Sequence, residues 1–174
     1  MRVIGGEFRS RALKSVPGLD TRPTSDRLRE ALFSILTPRI EGAVFADLYA
    51  GTGAVGIEAL SRRASRAIFV EQNRDAVRVI RDNLTSLQLT SRAQVRLGRV
   101  RAVLPKLDAD IVFLDPPYAL EVEYATALAL LGAGPARLVI VQHDRRLKLD
   151  EAYGSLRRVR MVKQGDNCLT LYEM

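Results

Sequence analysis

A short run, Asp115-Pro116-Pro117-Tyr118, combines a carboxylate, two rigid prolines and an aromatic ring. It follows four apolar residues, 111–114, whose β-forming side chains predict a buried strand. In open α/β sheets, ligands bind where the strands end. The prolines fix the backbone and carry no N–H donors. A carboxylate, a carbonyl group and an aromatic face suit a flat molecule with an NH₂ group, although Asp-Pro and Pro-Pro also occur in plain turns.

A glycine-rich segment follows the first apolar strand and contains Gly51, Gly53 and Gly56. This G-x-G-x-x-G spacing is typical of a loop that leads from a strand into a helix and approaches a nucleotide closely. Glu71 follows Gly51 by twenty residues and ends the next predicted strand, where an acid can bind ribose hydroxyls. By itself, the pattern fits either a nicotinamide dinucleotide or another adenosine-containing cofactor.

Asp47, four residues before Gly51, favours one of these cofactors. A dinucleotide places its pyrophosphate at the helix N-terminus, where a nearby carboxylate would repel it. S-adenosylmethionine carries an ammonium and a sulfonium group and no phosphate, so it suits this acid better. A capping acid with no such role would occupy the same position.

A methyl sulfonium beside an amine-binding segment predicts methyl transfer to an exocyclic amine. Asp115 and the carbonyl group of Pro116 would accept the two amine hydrogens and localise the nitrogen lone pair. Tyr118 would stack on the base, which a duplex would first have to release.

Strand and helix patterns alternate from residue 43 onward. We predict strands at 43–49, 66–71, 94–97, 111–114 and 138–141, and helices at 54–63, 74–87, 100–104 and near 124–131. This alternation predicts a parallel sheet with helices on both faces. After residue 150, alternating strands at 156–162 and 167–172 predict an antiparallel hairpin. A further helix, capped by Thr24 or Ser25, precedes the sheet and is predicted to expose Arg22, Arg27 and Arg29.

Composition and charge limit the class of protein. The 174 residues are 47% hydrophobic and 27% charged, which predicts one soluble globular domain. Without a membrane-length apolar run, a signal-peptide pattern or a second cysteine, we expect a cytoplasmic protein. The net charge is +7, and basic residues exceed acidic ones by four in residues 1–40 and by five in residues 145–163. Two basic ends indicate a nucleic-acid-binding surface, although a solvated exterior would give the same composition.

The first 20 residues differ in character from the rest. They predict a small basic hairpin with Arg9 and Arg11 on one face of its second strand. We therefore divide the chain into an N-terminal extension, residues 1–20, and a main domain, residues 21–174.

Together, these motifs resemble the bacterial 16S ribosomal RNA guanine-N2 methyltransferases of the RsmD type. The likeness covers nearly the whole chain and is carried by residues 47–53, Glu71, residues 115–118 and the N-terminal runs 2–6 and 21–30. It implies a class I S-adenosylmethionine-dependent methyltransferase fold, which is Rossmann-like, with a seven-stranded sheet whose last strand is antiparallel. It also implies that the N-terminal extension helps to hold ribosomal RNA and that residues 21–174 are the methyltransferase domain.

The resemblance further implies which residues bind each partner. Those that serve the target guanine are Asp115, Pro116 and Tyr118. Those at the cofactor are Asp47, Tyr49, Gly51, Thr52, Gly53, Glu71, Gln72, Gly98 and Arg99. Those at the RNA are Arg9, Arg11, Arg22 and Arg27. We expect S-adenosylhomocysteine as a product, no metal, and 16S ribosomal RNA in a small-subunit particle as the partner of a monomeric protein.

Two positions depart from the pattern of this family. Gln142 stands where the family often has an acid. Gly98 and Arg99 lack the acid that frequently touches the adenine, which leaves adenine recognition to backbone groups or Gln72. His143, the only histidine, is interpreted as a solvated loop residue. Other functions stay open: amino-methylation of DNA adenine or protein glutamine, RNA binding without catalysis, and, least favoured, nicotinamide-dependent oxidation.

Overall fold

The computed structural model describes residues 1–16, 25–117 and 121–174. Its strands are β1 Val44–Leu48, β2 Arg66–Glu71, β3 Ala93–Leu97, β4 Ile111–Leu114, β5 Leu138–Asp144, β6 Ala152–Tyr153, β7 Leu156–Gln164 and β8 Asn167–Glu173. Its α-helices are α1 Asp26–Leu36, α2 Ala54–Ser61, α3 Arg74–Ser86, α4 Val100–Val103 and α5 Glu121–Leu131. Short 3₁₀ turns occupy Thr90–Arg92 and Leu104–Lys106.

All eight strands of the described residues form one sheet, in the order β3-β2-β1-β4-β5-β8-β7-β6. Strands β1 to β5 are parallel, and β8 lies antiparallel beside β5. The predicted parallel sheet and terminal hairpin are therefore confirmed. The predicted count of seven strands is one too low, because the two residues of β6 pair with the start of β7.

Helices cover both faces of the sheet because each strand points its side chains alternately to either side. On one face, α1, α2 and α3 pack against strand residues such as Phe45, Phe69 and Phe113. On the other face, α4 and α5 pack against Val112 and Val139. The central strands are consequently apolar, and their functional groups lie at or beyond the strand ends.

The structure corrects the interpretation of His143. Strand β5 continues three residues beyond the predicted end, and His143 lies opposite Cys168 of β8. The His143 side chain is 1% exposed, with Nδ1 2.8 Å from the Asp144 carbonyl oxygen and Nε2 2.8 Å from Thr170 Oγ1. Because a carbonyl oxygen only accepts, Nδ1 carries the proton and Nε2 accepts from the hydroxyl group. Burial lowers the pKa of His143 below its ordinary value, so this histidine is a neutral structural residue.

The predicted N-cap of α1 is confirmed, but the predicted exposure of Arg29 is wrong. Ser25 Oγ accepts from the backbone N–H of Leu28 at 3.3 Å, whereas Thr24 lies outside the described residues. Arg29 is 1% exposed, and its Nη2 donates to the Arg2 carbonyl oxygen at 3.0 Å and to Asp26 Oδ1 at 2.8 Å. This side chain therefore anchors the beginning of the chain to α1.

The N-terminal segment, residues 1–16, folds back on itself through a single antiparallel bridge between Arg2 and Ala12. Arg9 lies in the turn between these residues and not in a strand, contrary to the predicted alternation along a second arm. Val3 and Leu13 are buried in a cluster with side chains of α2 and α3. The segment is thus packed onto the two helices that flank β2.

Candidate active site

Three carboxylates lie at or near the carboxyl ends of neighbouring strands, at the same edge of the sheet. Asp47 lies in β1, Glu71 ends β2, and Asp115 directly follows β4. Register pairs Leu48 of β1 with Val70 on one side and with Leu114 on the other, so parallel pairing brings the three acids together. Burial raises the pKa of Asp47, and the nearby negative charges of Asp115 and Glu71 raise it further.

Asp47 is almost fully enclosed, with 2% of its surface exposed. Its Oδ2 accepts from the backbone N–H of Gly56 in the first turn of α2, at 2.8 Å. Burial raises the pKa of this carboxyl group well above its usual range, although the Gly56 hydrogen bond opposes that shift. The carboxyl group therefore holds the loop between β1 and α2 in place, and its direct contact with a cofactor stays a prediction.

The glycine loop has the backbone that its sequence predicts. Gly51 and Gly53 have φ angles of 55° and 79°, in the left-handed region that favours glycine, and Gly53 caps α2. A Cβ atom at Gly51 would meet nothing within 4 Å, so the loop backbone is open to the crevice. At Gly56, a Cβ atom would collide with the ring of Phe69, so the third glycine permits close packing of helix on strand.

Glu71 joins the glycine loop to the end of β2. Its Oε2 accepts from the backbone N–H of Gly51 at 2.9 Å, and its Oε1 accepts from that of Asn73 at 2.8 Å. Each carboxylate oxygen can accept more than one hydrogen bond, so Glu71 keeps the capacity to accept from ribose hydroxyls.

A cleft of about 200 Å³ opens beside Glu71. Its lining residues are Tyr49, Val70, Glu71, Gln72, Gly98, Arg99, Val100, Arg101 and Glu123. Five of the predicted cofactor residues thus share one cavity. The other four, Asp47, Gly51, Thr52 and Gly53, do not line it. The Thr52 carbonyl oxygen accepts from Asn83 Nδ2 at 3.2 Å.

Tyr49 and Glu123 meet across this cleft. The Tyr49 hydroxyl donates to Glu123 Oε2 at 2.8 Å, which ties the end of β1 to the first turn of α5. Burial, together with the hydrogen bond to Glu123, raises the pKa of Tyr49 above its ordinary value. Sequence reasoning missed Glu123, because a carboxylate in the first turn of a helix is commonly a capping or solvated group.

The predicted amine-binding segment lies directly after β4. Asp115 is half-buried and Pro116 is buried, and the Pro116 carbonyl oxygen accepts from the Tyr124 hydroxyl at 3.1 Å. This contact fixes the direction of the carbonyl group and leaves one lone pair for a second donor. The sequence analysis placed Tyr124 in a helix but did not predict this contact with the site. Tyr118 lies outside the described residues.

Three of the four predicted RNA-binding arginines lie in the described part of the chain. Arg9, Arg11 and Arg27 are exposed, and Arg22 lies outside the described residues. Arg9 and Arg11 belong to the N-terminal segment, and Arg27 lies in the first turn of α1, so these cations do not come from one element.

Buried polar groups clamp the N-terminal segment to the helices beside the glycine loop. Glu58 of α2 accepts from the backbone N–H groups of Ile4 and Gly5, at 2.8 and 2.7 Å. Asn83 of α3 accepts from the Lys14 N–H at 2.8 Å and also donates to the Thr52 carbonyl oxygen. One buried amide therefore connects the N-terminal segment with the glycine loop.

The sequence matches a known protein family over nearly its whole length. The model of the family described as conserved hypothetical protein 95 matches residues 1–173. The chain belongs to this family. Within its described residues, no helix has the length and apolar character needed to cross a membrane.

Relatives of this family member carry ribosomal names. YlbH of Bacillus subtilis, named as a candidate rRNA methyltransferase, is 36% identical over 182 residues, which cover 99% of this chain and 98% of YlbH. The ribosomal RNA small subunit methyltransferase D of Escherichia coli K12 is 39% identical over 119 residues, which cover 68% of this chain and 60% of that protein. The predicted resemblance to RsmD-type proteins is confirmed.

A solved structure supports the fold directly. The Escherichia coli protein yhhF, described as a candidate methyltransferase, matches with a TM-score of 0.87 and 32% identity, over 99% of this chain and 97% of that one. The predicted class I methyltransferase fold is therefore confirmed for this family member.

Proposed function

We propose that the protein transfers a methyl group from S-adenosylmethionine to the exocyclic N2 amine of a guanine in 16S ribosomal RNA. The observation that carries this proposal is the adjacency of an amine-binding segment and a nucleoside-binding loop. Asp115 and Pro116 follow β4, the glycine loop follows β1, and these strands are neighbours in the sheet. Neighbouring strands lie about 4.8 Å apart, so the two groups flank one crevice.

The described residues fit the proposed cofactor. The glycine loop, with Gly51 and Gly53 in the left-handed conformation, exposes its backbone. Glu71 could accept hydrogen bonds from the ribose, and Val70 and Val100 give the adjoining cleft apolar walls. The acids at this edge disfavour a pyrophosphate and suit the ammonium and sulfonium groups. S-adenosylmethionine would supply an electrophilic methyl group, and the protein would supply position and electrostatics.

Asp115 and the Pro116 carbonyl group would act on the guanine amine. The amine lone pair is delocalised into the ring, so nitrogen is a weak nucleophile until its hydrogens are held. Two acceptors on these hydrogens direct the lone pair toward the methyl group. The Tyr124 hydroxyl would keep the Pro116 carbonyl in position. The methylated amine becomes acidic and loses one proton to water, so the step needs no strong base.

A ribosomal RNA substrate is supported by charge and by the relatives. Arg9, Arg11 and Arg27 are exposed cations, which suit phosphate groups. YlbH, which this chain matches over 98% of its length, has rRNA in its name, and the name of the Escherichia coli relative specifies RNA of the small ribosomal subunit. We infer that an unpaired or flipped guanine enters the crevice, because a stacked base cannot reach Asp115.

Labelled methyl transfer to separate substrates tests this proposal. The protein is incubated with S-adenosylmethionine labelled in its methyl group and with small ribosomal subunits, naked 16S ribosomal RNA, or DNA. We expect label in the 16S RNA of at least one of the first two samples. Label in DNA alone, or in no nucleic acid, would contradict the proposed substrate.

A further inference from the structure

The cleft beside Glu71 contains a carboxylate from an unexpected direction. Arg99 is exposed, and its segment after β3 lacks the acid that the family frequently has there. Glu123, a residue of α5, instead contributes a carboxylate to the same cleft. The cleft therefore has one carboxylate at the end of β2, in Glu71, and a second in Glu123.

Glu123 is held in a defined orientation. Its Oε2 accepts from the Tyr49 hydroxyl, and Tyr49 has a φ angle of 63°, an unusual backbone conformation for a residue with a large side chain. Glu123 lines the cleft. Among the described residues, only its Oε2 has a hydrogen bond, and no hydrogen bond or ion pair involves its Oε1. The tyrosine thus directs a carboxylate with spare acceptor capacity at the cavity.

We propose that Glu123 recognises the exocyclic amine of the cofactor's adenine, a role that backbone groups or Gln72 would otherwise fill. This inference rests on the proposed use of S-adenosylmethionine. With Glu71 on the ribose, the adenine would extend into the adjoining cleft, between Val70 and Val100. An ionised carboxylate only accepts hydrogen bonds, so it matches an amine and disfavours a carbonyl oxygen at the same place.

Discrimination between adenine and hypoxanthine measures this recognition without any turnover. Calorimetric titration compares S-adenosylhomocysteine with S-inosylhomocysteine, in which a carbonyl oxygen replaces the amine. A hydrogen bond to a charged acceptor predicts that the natural protein binds the adenine compound about 10- to 100-fold more tightly. In Glu123→Gln, which can also donate, this preference should fall to within about threefold.

Two further variants make the experiment specific. Glu121→Gln changes an exposed carboxylate two residues away on the same helix, and should keep the full preference. Tyr49→Phe removes the hydroxyl that orients Glu123, and should narrow the preference without abolishing it. Thermal unfolding checks that each variant is folded, and Tyr49→Phe carries the test if Glu123→Gln does not fold.

The outcomes separate this inference from the proposed function. Preference that is equal in Glu123→Gln and the natural protein overturns the role of Glu123 and leaves Gln72 or backbone groups as the readers of adenine. Equal affinity of the natural protein for the two compounds also overturns it, while cofactor binding stands. Binding of neither compound overturns the proposed cofactor itself.

Discussion

The buried carboxylate of Glu58 attaches the N-terminal segment to α2, and its removal should cost much of the protein's stability. Glu58 is fully buried, accepts from two backbone N–H groups and pairs with Arg62 at 2.9 Å. In Glu58→Ala, each N–H group that stays buried without an acceptor costs about 1–3 kcal/mol. The Arg62 side chain is 24% exposed, so water can solvate its charge after the change, and most of the cost comes from the two N–H groups. With two such N–H groups, we expect the free energy of unfolding to fall by about 2–6 kcal/mol, out of about 5–15 kcal/mol for an ordinary domain.

Urea unfolding followed by circular dichroism measures this change. Glu58→Gln keeps the shape and one acceptor oxygen, so its loss should be smaller than that of Glu58→Ala. Glu41→Ala is the control, because Glu41 is an exposed carboxylate 3.5 Å from Arg63. That control should change the free energy of unfolding by less than about 0.5 kcal/mol.

Limited digestion with trypsin shows where the stability is lost. A released N-terminal segment should be cut faster at Arg9 and Arg11 in Glu58→Ala than in the natural protein, because proteases cut locally opened chain. If Glu58→Ala unfolds within about 1 kcal/mol of the natural protein and is cut at the same rate, the attachment through Glu58 is refuted.

Three further predictions concern the site, the RNA surface and pH. Asp115→Ala should abolish methyl transfer while calorimetry still detects cofactor binding; retained turnover would remove the role of Asp115. Arg9→Ala with Arg11→Ala should lower the slope of log K against log salt by about 1.4 for single-stranded RNA, whereas Arg137→Ala, an exposed arginine at the opposite sheet edge, should not. Because burial lowers the folded-state pKa of His143, the unfolded state takes up a proton first as pH falls below about 6.5. The free energy of unfolding, measured with urea, should therefore decrease as the pH is lowered below about 6.5. In His143→Gln, the free energy of unfolding should depend less on pH in this range.

Much of the fold could be predicted because apolar periodicity reports which faces are buried. The four apolar residues of β4 and the glycines after β1 identify both sides of the crevice, and the structure brings them to neighbouring strands. The terminal hairpin was also predictable, because a glycine lies between two alternating strands. In the structure, Gly165 has a φ angle of 62° in the two-residue turn between β7 and β8. These signals are local, so a single sequence contains them.

The failures have a common physical cause, which is contact between distant parts of the chain. His143 looks like a loop residue, but β8 pairs with it and extends β5. Arg29 looks like a surface cation until the N-terminal segment covers it and supplies the Arg2 carbonyl oxygen. In each case the partner lies 25 or more residues away and leaves no local pattern.

The same cause hid two residues of the site. Glu123 and Tyr124 approach the cleft and the Pro116 carbonyl group from α5, after the chain has left the end of β4. Neither residue has a spacing that marks it, because a helix can present a functional group at any position that faces the site. Only the packing of α5 against the sheet reveals them.

The nucleoside that receives the methyl group tests the central claim most directly. After reaction with S-adenosylmethionine labelled in its methyl group, the 16S ribosomal RNA is digested to nucleosides and separated by liquid chromatography with mass spectrometry. The proposed geometry predicts labelled N2-methylguanosine. Label in a methylated adenosine, or in guanosine methylated at a ring nitrogen, would contradict an amine held by Asp115 and Pro116.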